Sequence, residues 1–205
     1  MEPKTVLNNI RSFQNGSSGG IDGLRPQHLK DLTAPANGIA GRDLLEALTK
    51  LGNLMLTGGV PEAVLEILYG AHLCAISKKD GGLRPVAVGN VLRRLVAKCC
   101  SNLCRERASS VFAPHQYGFG IPNGCEIVAH SARTYCSLQH DTPKVLCKID
   151  FSNSFNRVRR DVILKRILTD FSENFPFVNQ CYRKSYAPFY YVVTFERPCP
   201  PDELV

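Results

Sequence analysis

Residues 148–158 read Lys148-Ile149-Asp150-Phe151-Ser152-Asn153-Ser154-Phe155-Asn156-Arg157-Val158, and they carry the most informative pattern of the chain. The run from Lys144 to Ile149 is typical of a β-strand, and it ends at a carboxylate, Asp150. A carboxylate in that position can bind Mg²⁺, which prefers oxygen ligands. An Asp after a strand is also an ordinary turn or helix-capping residue, and Phe155 an ordinary core aromatic at a helix start. The residues by themselves leave both interpretations open.

A second constellation lies upstream, where two short apolar runs, from Ala71 to Ser77 and from Leu83 to Val88, flank Lys78-Lys79-Asp80-Gly81-Gly82. Asp-Gly-Gly between β-type runs predicts a hairpin. Two lysines at its tip, with Arg84 just beyond, suit a triphosphate. Arg forks onto two phosphate oxygens, and Lys acts as a point charge. The alternative is a solvated turn whose lysines aid solubility.

The remaining pattern is mostly helical, so the sequence predicts a helix-rich α/β (α+β) fold. One helix is predicted to begin at a capping Asp43, after a loop from Thr33 to Gly41, and another to bury Val162, Ile163, Ile167 and Leu168. A basic helix is predicted to begin at a capping Asn90 and to run to about Arg107, with Val91, Leu95, Cys99 and Leu103 at helical spacing. The predicted helices are 1–14, 26–32, 43–55, 61–68, 90–107, 123–138 and 160–171, with an irregular stretch from Ser109 to Pro122 and a late strand from Tyr190 to Phe195.

Charge and cysteine content indicate what kind of partner and cellular environment to expect. The net charge is +7, and the segment from Ala71 to Arg107 alone has eight Lys and Arg against two acidic residues, which favours a polyanionic partner. The helix from Arg93 to Arg107 is either a surface that follows a nucleic-acid backbone or a solvated basic face.

Nine cysteines without zinc spacing indicate reduced thiols. No secretory or membrane-spanning segment is visible, so we expect an intracellular protein of the nucleus or cytoplasm, not secreted and without a membrane partner.

Taken in order, these motifs resemble the reverse transcriptases of non-LTR (LINE-like) retrotransposons, over a match that runs from about Ser18 to Arg160. The stretch 148–158 is similar to their first aspartate motif, and 78–88 to their fingers hairpin. The run Gln116-Tyr117-Gly118-Phe119-Gly120, followed by Gly124-Cys125-Glu126, resembles their template-side element. The run 20–24 resembles the N-terminal extension of the family.

The resemblance implies the fingers and a partial palm of a right-hand polymerase, with an incomplete palm sheet. It implies one domain fragment over 1–205, divided into 1–70 (N-terminal extension and helices), 71–140 (fingers) and 141–205 (partial palm). Asp150 would be the catalytic metal ligand, Phe151 would lend its backbone carbonyl to the metal, and Phe155 would be the steric gate against a ribose 2′-hydroxyl. The implied dNTP-binding residues are Lys78, Lys79, Arg84, Phe151 and Phe155. The implied template-binding residues are Gln116, Tyr117, Gly118, Phe119 and Gly120.

The implied activity is RNA-directed DNA polymerase, a nucleotidyltransferase that uses a template–primer, dNTPs and Mg²⁺. Two-metal chemistry needs more than one carboxylate, and the 205 residues contain no aromatic-Ala-Asp-Asp motif. We therefore expect no polymerase activity from this chain alone, unless a partner chain supplies the rest of the palm. Three alternatives remain: a domesticated nucleic-acid-binding module, a truncated reading frame without selected function, and an unrelated phosphate-binding α/β domain, although no Walker loop is present.

Overall fold

The computed structural model describes residues 1–77, 82–138, 143–151, 157–184 and 189–190, and these form a helix-rich α+β chain. The mixed, helix-rich class predicted from the sequence is confirmed. The described helices are α1 (Pro3–Arg11), α2 (Pro26–Leu32), α3 (Gly38–Leu56), α4 (Glu62–Tyr69), α5 (Val91–Leu103), α6 (Arg105–Phe112), α7 (Gly124–Ser137), α8 (Arg160–Asp170) and α9 (Phe175–Tyr182). The strands are β1 (Ala71–Ser77), β2 (Leu83–Gly89) and β3 (Phe189–Tyr190).

The chain divides into two compact units. The first contains 1–99 together with 183–205, and the second contains 100–182. The sheet and the helices α1 to α4 belong to the first unit, and the helices α6 to α9 belong to the second. The finer subdivision at 70 and 140 stays a prediction.

The predicted hairpin is present in the first unit. β1 and β2 pair antiparallel over seven residues, from Ala71 opposite Gly89 to Ser77 opposite Leu83. β3 pairs parallel with the other edge of β1, so the strand order is β2-β1-β3. The predicted late strand overlaps β3 at Tyr190, and its remainder lies outside the described residues.

The core of the first unit joins α1, α2 and α5. Val6 and Ile10 stand four residues apart on α1, and Val91, Leu95 and Cys99 repeat at the same spacing on α5, so each set lines one helix face. All five are buried, and Phe13 and Leu29 complete the cluster. The predicted apolar face of α5 is therefore confirmed for these three residues. The prediction was wrong for Leu103, which is 60% exposed at the end of the helix, beyond this packed region.

The start of α5 is fixed by Asn90, as the sequence predicted. The buried Asn90 accepts a hydrogen bond from the Leu92 backbone N–H through Oδ1, at 2.8 Å. Its Nδ2 donates to Asp22 Oδ2 at 3.1 Å, which attaches the 20–24 motif to the helix. Gly20 allows this approach, because a Cβ there would lie 3.0 Å from the Asn90 Cα. One side chain thus both caps α5 and holds a loop 68 residues away in sequence.

We expect Asn90→Ala to lower the free energy of unfolding of the first unit by about 1–2 kcal/mol, because it removes the cap and the Asp22 partner together. Urea denaturation followed by circular dichroism measures this. Asn90→Ser is the matched control, since its hydroxyl keeps the cap but does not reach Asp22, and it should cost less than half as much. Equal losses in the two variants would mean that the cap contributes nothing.

Two helix boundaries differ from the sequence prediction. α3 begins at Gly38 rather than at Asp43, because Pro35–Asn37 forms a 3-10 turn that leads directly into it. The small residues there suggested a loop, but Gly41 is buried, and a Cβ at Gly41 would lie 3.2 Å from the Leu32 carbonyl oxygen. Because Gly41 has no side chain, α3 can pack closely on the end of α2. This tertiary contact overrides the weak helix propensity of glycine.

The second boundary concerns the basic helix, which was predicted to continue to about Arg107 and to be followed by irregular chain from Ser109. α5 instead ends at Leu103, and α6 runs from Arg105 to Phe112. Cys104 lies between the two helices at φ −89° and ψ −1°, and its carbonyl accepts the Ala108 N–H at 2.8 Å to begin the new helix. The irregular stretch is therefore shorter than predicted.

In the second unit, the predicted strand from Lys144 to Ile149 is wrong. Residues 143–151 have no regular secondary structure, and Val145, Leu146 and Ile149 are 80%, 65% and 70% exposed. The described strands pair only with one another, and a strand without a ladder partner has little to stabilise it. The predicted helix from Arg160 is present as α8, but Val162 and Leu168 are about half exposed rather than buried.

Arg183 and Lys184 of the first unit form ion pairs with the start of α4. The Glu62 carboxylate at the start of α4 accepts hydrogen bonds from Lys184 and from Arg183. The hydrogen bond from Lys184 is the main cause that lowers the pKa of Glu62, with Arg183 adding to it. All three groups lie at the surface, so this triad orients 183–184 more than it stabilises the fold.

Candidate nucleic-acid interface

The hairpin places the backbone of Arg84, one of its predicted phosphate ligands, near one end. Arg84 lies opposite Ile76 in the ladder, one residue pair before the last described pair, Ser77 with Leu83. Its backbone therefore stands next to the hairpin tip. Lys78 and Lys79, which the sequence places on the tip, lie outside the described residues. Of the three predicted phosphate ligands, the structure describes a strand position for Arg84.

The basic side chains of α5 brace the loop that precedes α2. Arg94 Nη1 donates to the Ser18 carbonyl at 2.7 Å, and Lys98 Nζ donates to the Ser12 carbonyl at 3.1 Å. Lys30 Nζ, from α2, donates to the Phe13 carbonyl at 2.6 Å and to Asn15 Oδ1 at 2.9 Å. Each acceptor is a neutral oxygen, so none of these described hydrogen bonds pairs a cation with a negative charge.

Two of these cations, Arg94 and Lys98, also lie over the aromatic ring of Phe13. Arg94 Cζ is 5.6 Å and Lys98 Nζ is 5.0 Å from the centroid of the Phe13 ring, within cation–π range. We call Phe13, Lys30, Arg94 and Lys98 the Phe13 cluster. A local excess of positive charge beside a polar loop can attract phosphate groups in a salt-dependent way. The sequence indicated a basic helix, but it gave no signal that Lys30 and the 12–18 carbonyls join it.

In the second unit, the predicted template-binding run Gln116 to Gly120 forms a compact loop. Gln116 Oε1 accepts the Phe119 N–H at 2.8 Å and closes the turn. Gly120 has φ +78°, a conformation that side chains disfavour, and a Cβ there would lie 3.0 Å from the Arg105 carbonyl oxygen. The Phe119 side chain remains 37% exposed. A rigid loop that presents an exposed ring is a suitable platform for stacking a base.

This loop is packed against the first turn of α7. A Cβ added to Gly124 would lie 1.8 Å from the Tyr117 carbonyl oxygen, so only glycine permits the approach. An open groove of about 770 Å³ continues along the same helix, lined by residues that include Asn123, Glu126, His130 and Tyr135. The Lys144 ammonium lies 5.1 Å from the Tyr135 ring centroid. The sequence did not indicate this groove, because its lining residues have no motif of their own.

The predicted metal ligands lie in the irregular segment 143–151 of the second unit. Asp150 is exposed, Phe151 is 72% exposed, and Phe155 falls outside the described residues. Among the residues that the structure describes, no three His, Cys, Asp or Glu side chains are grouped to hold a metal ion. Asp150 and the Phe151 carbonyl are oxygen donors of the kind Mg²⁺ takes. One carboxylate does not fit a two-metal centre, so no catalytic step can be assigned through it.

The predicted dNTP set is divided between the two units. Arg84 belongs to the first unit, whereas Phe151 belongs to the second, which also contains the predicted metal ligand Asp150 and the 116–120 loop.

In the described part of the chain, no helix has the length and apolar character needed to cross a lipid bilayer. No protein-family model matches the chain. No curated protein matches its sequence. The resemblance to reverse transcriptases therefore rests on the order and spacing of the motifs in this sequence.

Proposed function

We propose that this chain is the fingers and partial palm of a non-LTR reverse transcriptase domain that binds an RNA or DNA template–primer and dNTPs. The observation that carries the proposal is the seven-pair hairpin, which holds Arg84 beside its tip and continues directly into α5. A hairpin followed by a basic helix suits contact with a triphosphate and with a nucleic-acid backbone. The right-hand polymerase fold, the intracellular location and a partner chain that completes the palm belong to the same proposal.

The roles of the residues follow from their chemistry. Lys78, Lys79 and Arg84 bind the triphosphate, and the Phe155 ring excludes a 2′-hydroxyl. Asp150 and the Phe151 carbonyl contribute oxygen atoms to Mg²⁺. With one carboxylate of the required set, the 205-residue chain is expected to bind nucleic acid without extending a primer.

The exposed Phe119 ring of the 116–120 loop allows a direct test of the proposed template contact. We expect Phe119→Ala to weaken binding of single-stranded RNA by about 1–3 kcal/mol, roughly five- to a hundredfold, because a stacked base loses its aromatic partner. Fluorescence anisotropy with an end-labelled oligonucleotide measures the affinity. Phe119→Tyr keeps the ring and should bind like the wild type.

Tyr182→Ala is the matched control, because Tyr182 on α9 is similarly exposed, at 39%. It should leave the affinity unchanged. If the Phe119 and Tyr182 variants weaken binding equally, the 116–120 loop is not the template contact, and the proposed template element is wrong.

A second function, a nucleic-acid-binding module without polymerase chemistry, is favoured by the Phe13 cluster. Two of its three cations, Arg94 and Lys98, lie over the Phe13 ring, all three donate to the 12–18 loop, and none of their described hydrogen bonds is to a carboxylate. Adding Mg²⁺ and the dNTP complementary to the template separates the two functions. The polymerase proposal expects that dNTP to tighten template–primer binding more than a mismatched dNTP does. The module expects no difference between them.

A further inference from the structure

Segment 143–151 of the second unit has strand propensity but no strand partner. None of its backbone groups makes a hydrogen bond to the described part of the chain, and its residues have no regular secondary structure. Val145, Phe151 and Ile149 are the three most exposed large apolar side chains among the described residues. A segment with unpaired backbone groups and exposed apolar side chains is suited to pairing with another strand.

The residues of this segment alternate as in a strand with one apolar face. In an extended chain every second side chain lies on the same side, and the apolar side is formed by Val145, Cys147, Ile149 and Phe151. The opposite side carries the charges, and it is formed by Lys144, Leu146, Lys148 and Asp150. The segment can therefore bury one face and keep the other in water.

α7 provides a second apolar surface beside this segment. Its exposed large apolar side chains fall within a stripe about 100° wide, formed by Ile127, Val128, Tyr135 and, at the C-cap, Leu138. The Lys144 ammonium lies over the Tyr135 ring and donates to the Leu138 carbonyl, so the segment begins beside the end of α7. A two-stranded ribbon is marginal alone and becomes stable when one face packs against a helix.

We propose that segment 143–151 pairs antiparallel with the same segment of a second copy of this chain, and that the two α7 helices cover the apolar face of the resulting ribbon. The twofold axis passes through Cys147, which lies opposite Cys147 of the partner subunit. Lys144 lies opposite Asp150 of the partner subunit, and Val145 lies opposite Ile149 of the partner subunit. Every residue of the segment then has a cross-strand partner, and opposite charges meet at both ends.

Charge selects this register over its alternatives. A parallel pairing in register places Lys144, Lys148 and Asp150 each opposite its own copy, so that like charges meet. Shifting one antiparallel strand by one residue places Val145 opposite Lys148 or Asp150, which mixes the apolar and charged faces. Shifting it by two residues places lysine opposite lysine. Of these pairings, the one centred on Cys147 joins opposite charges and keeps the apolar side chains on one face.

The inference goes beyond the proposed function and does not rest on it, because neither nucleic acid, dNTP nor metal takes part in the pairing. It also accounts for the strand propensity of 144–149, which has no ladder partner in the described part of a single chain. The second copy supplies that partner.

Sedimentation velocity of the full chain, without nucleic acid and with a reductant present, tests the proposal. We expect monomer at low concentration and dimer at high concentration, with no disulfide involved. Hydrogen exchange of 144–150 should slow as the dimer forms, because alternate backbone N–H groups enter a ladder. A chain that stays monomeric at high concentration, or a dimer in which 144–150 exchanges as fast as in the monomer, would overturn the proposal.

Charge variants test the register. Lys144→Glu alone, and Asp150→Lys alone, bring like charges together at both ends and should raise the dimer dissociation constant about tenfold or more. An equimolar mixture of the two variants restores opposite charges at both ends. The mixture should therefore form a heterodimer with a dissociation constant within about threefold of the wild-type value. A variant that failed to fold could not be rescued by mixing.

Lys148→Glu is the matched control, since it makes the same change on the same face but lies opposite Leu146 of the partner subunit. It should leave the dimer no weaker than the wild type. A mixture that stays monomeric, or a loss in Lys148→Glu equal to that in Lys144→Glu, would contradict the register.

A short bis-thiosulfonate cross-linker tests the position of the twofold axis. Cross-strand Cβ atoms lie about 4.5–5.5 Å apart, so the reagent should join the two copies of Cys147 and give a covalent dimer. Cys147→Ser should abolish this product, whereas Cys125→Ser, on an exposed cysteine of α7, should leave it unchanged. Cross-linking through Cys125 instead of Cys147 would show a different interface and overturn the proposal.

Discussion

Gly124→Ala is expected to destabilise the second unit by about 3 kcal/mol, although alanine is the better helix former. Helix propensity alone would favour alanine over glycine by about 1 kcal/mol at a helical position. Against this, the new Cβ would lie 1.8 Å from the Tyr117 carbonyl oxygen, and a backbone atom cannot rotate away as a side chain can. Overpacking costs about 1–3 kcal/mol even where neighbours can shift, so the clash outweighs the propensity.

Urea denaturation of the wild type and the variant measures this difference. Gly118→Ala is the matched control in the same loop, because its Cβ would lie 3.4 Å from Gln116 Oε1, an ordinary contact with a flexible side chain. It should change the free energy of unfolding by less than about 0.5 kcal/mol. If Gly124→Ala is as stable as Gly118→Ala, the loop does not pack on the start of α7, and the base-stacking platform is wrong.

Ile10→Ala is expected to cost the first unit about 3–4 kcal/mol. Ile10 is fully buried at the centre of the cluster that joins α1, α2 and α5, so removing three carbons leaves a cavity that helices on several sides cannot fill. The same cluster positions Phe13 and α5, so the variant should also weaken nucleic-acid binding by the Phe13 cluster.

The control is Ile39→Ala, which removes the same atoms from a residue that is 68% exposed on α3. Thermal and urea denaturation should place this variant within about 0.5 kcal/mol of the wild type. A loss of similar size in both variants would mean that α1 does not form the core of the first unit.

Local signals explain what the sequence predicted well. The hairpin was marked by Asp-Gly-Gly between β-type runs, and the buried face of α5 by apolar residues four apart after a capping Asn90. Each of these signals lies within a few residues of the structure it specifies. The start of α3 was missed because Gly41 packs against the Leu32 carbonyl, a contact that glycine composition alone cannot reveal.

Non-local contacts explain the other differences. The run from Lys144 to Ile149 has strand propensity, but propensity does not supply a neighbouring strand, and the segment is exposed without regular structure. Prediction of the candidate nucleic-acid interface was limited by non-local contacts in the same way. Motif spacing predicted roles for Arg84, Asp150 and the 116–120 loop, whereas the bracing of α5 depends on carbonyls 76 and 86 residues away in sequence. Pairs so far apart leave no periodic signal in the chain.

The most direct test of the central claim is the salt dependence of template–primer binding in two charge-matched double variants. One is Lys78→Gln/Lys79→Gln, at the hairpin tip predicted from the sequence, and the other is Lys4→Gln/Lys50→Gln, on α1 and α3. The proposal predicts that wild-type affinity falls steeply between 50 and 200 mM salt, and that the hairpin variant alone binds more weakly. It also predicts that the slope of log affinity against log salt concentration is shallower for the hairpin variant, by the amount expected for the loss of about two phosphate contacts. Absence of binding, salt-independent binding, or equal losses in the two variants would contradict it.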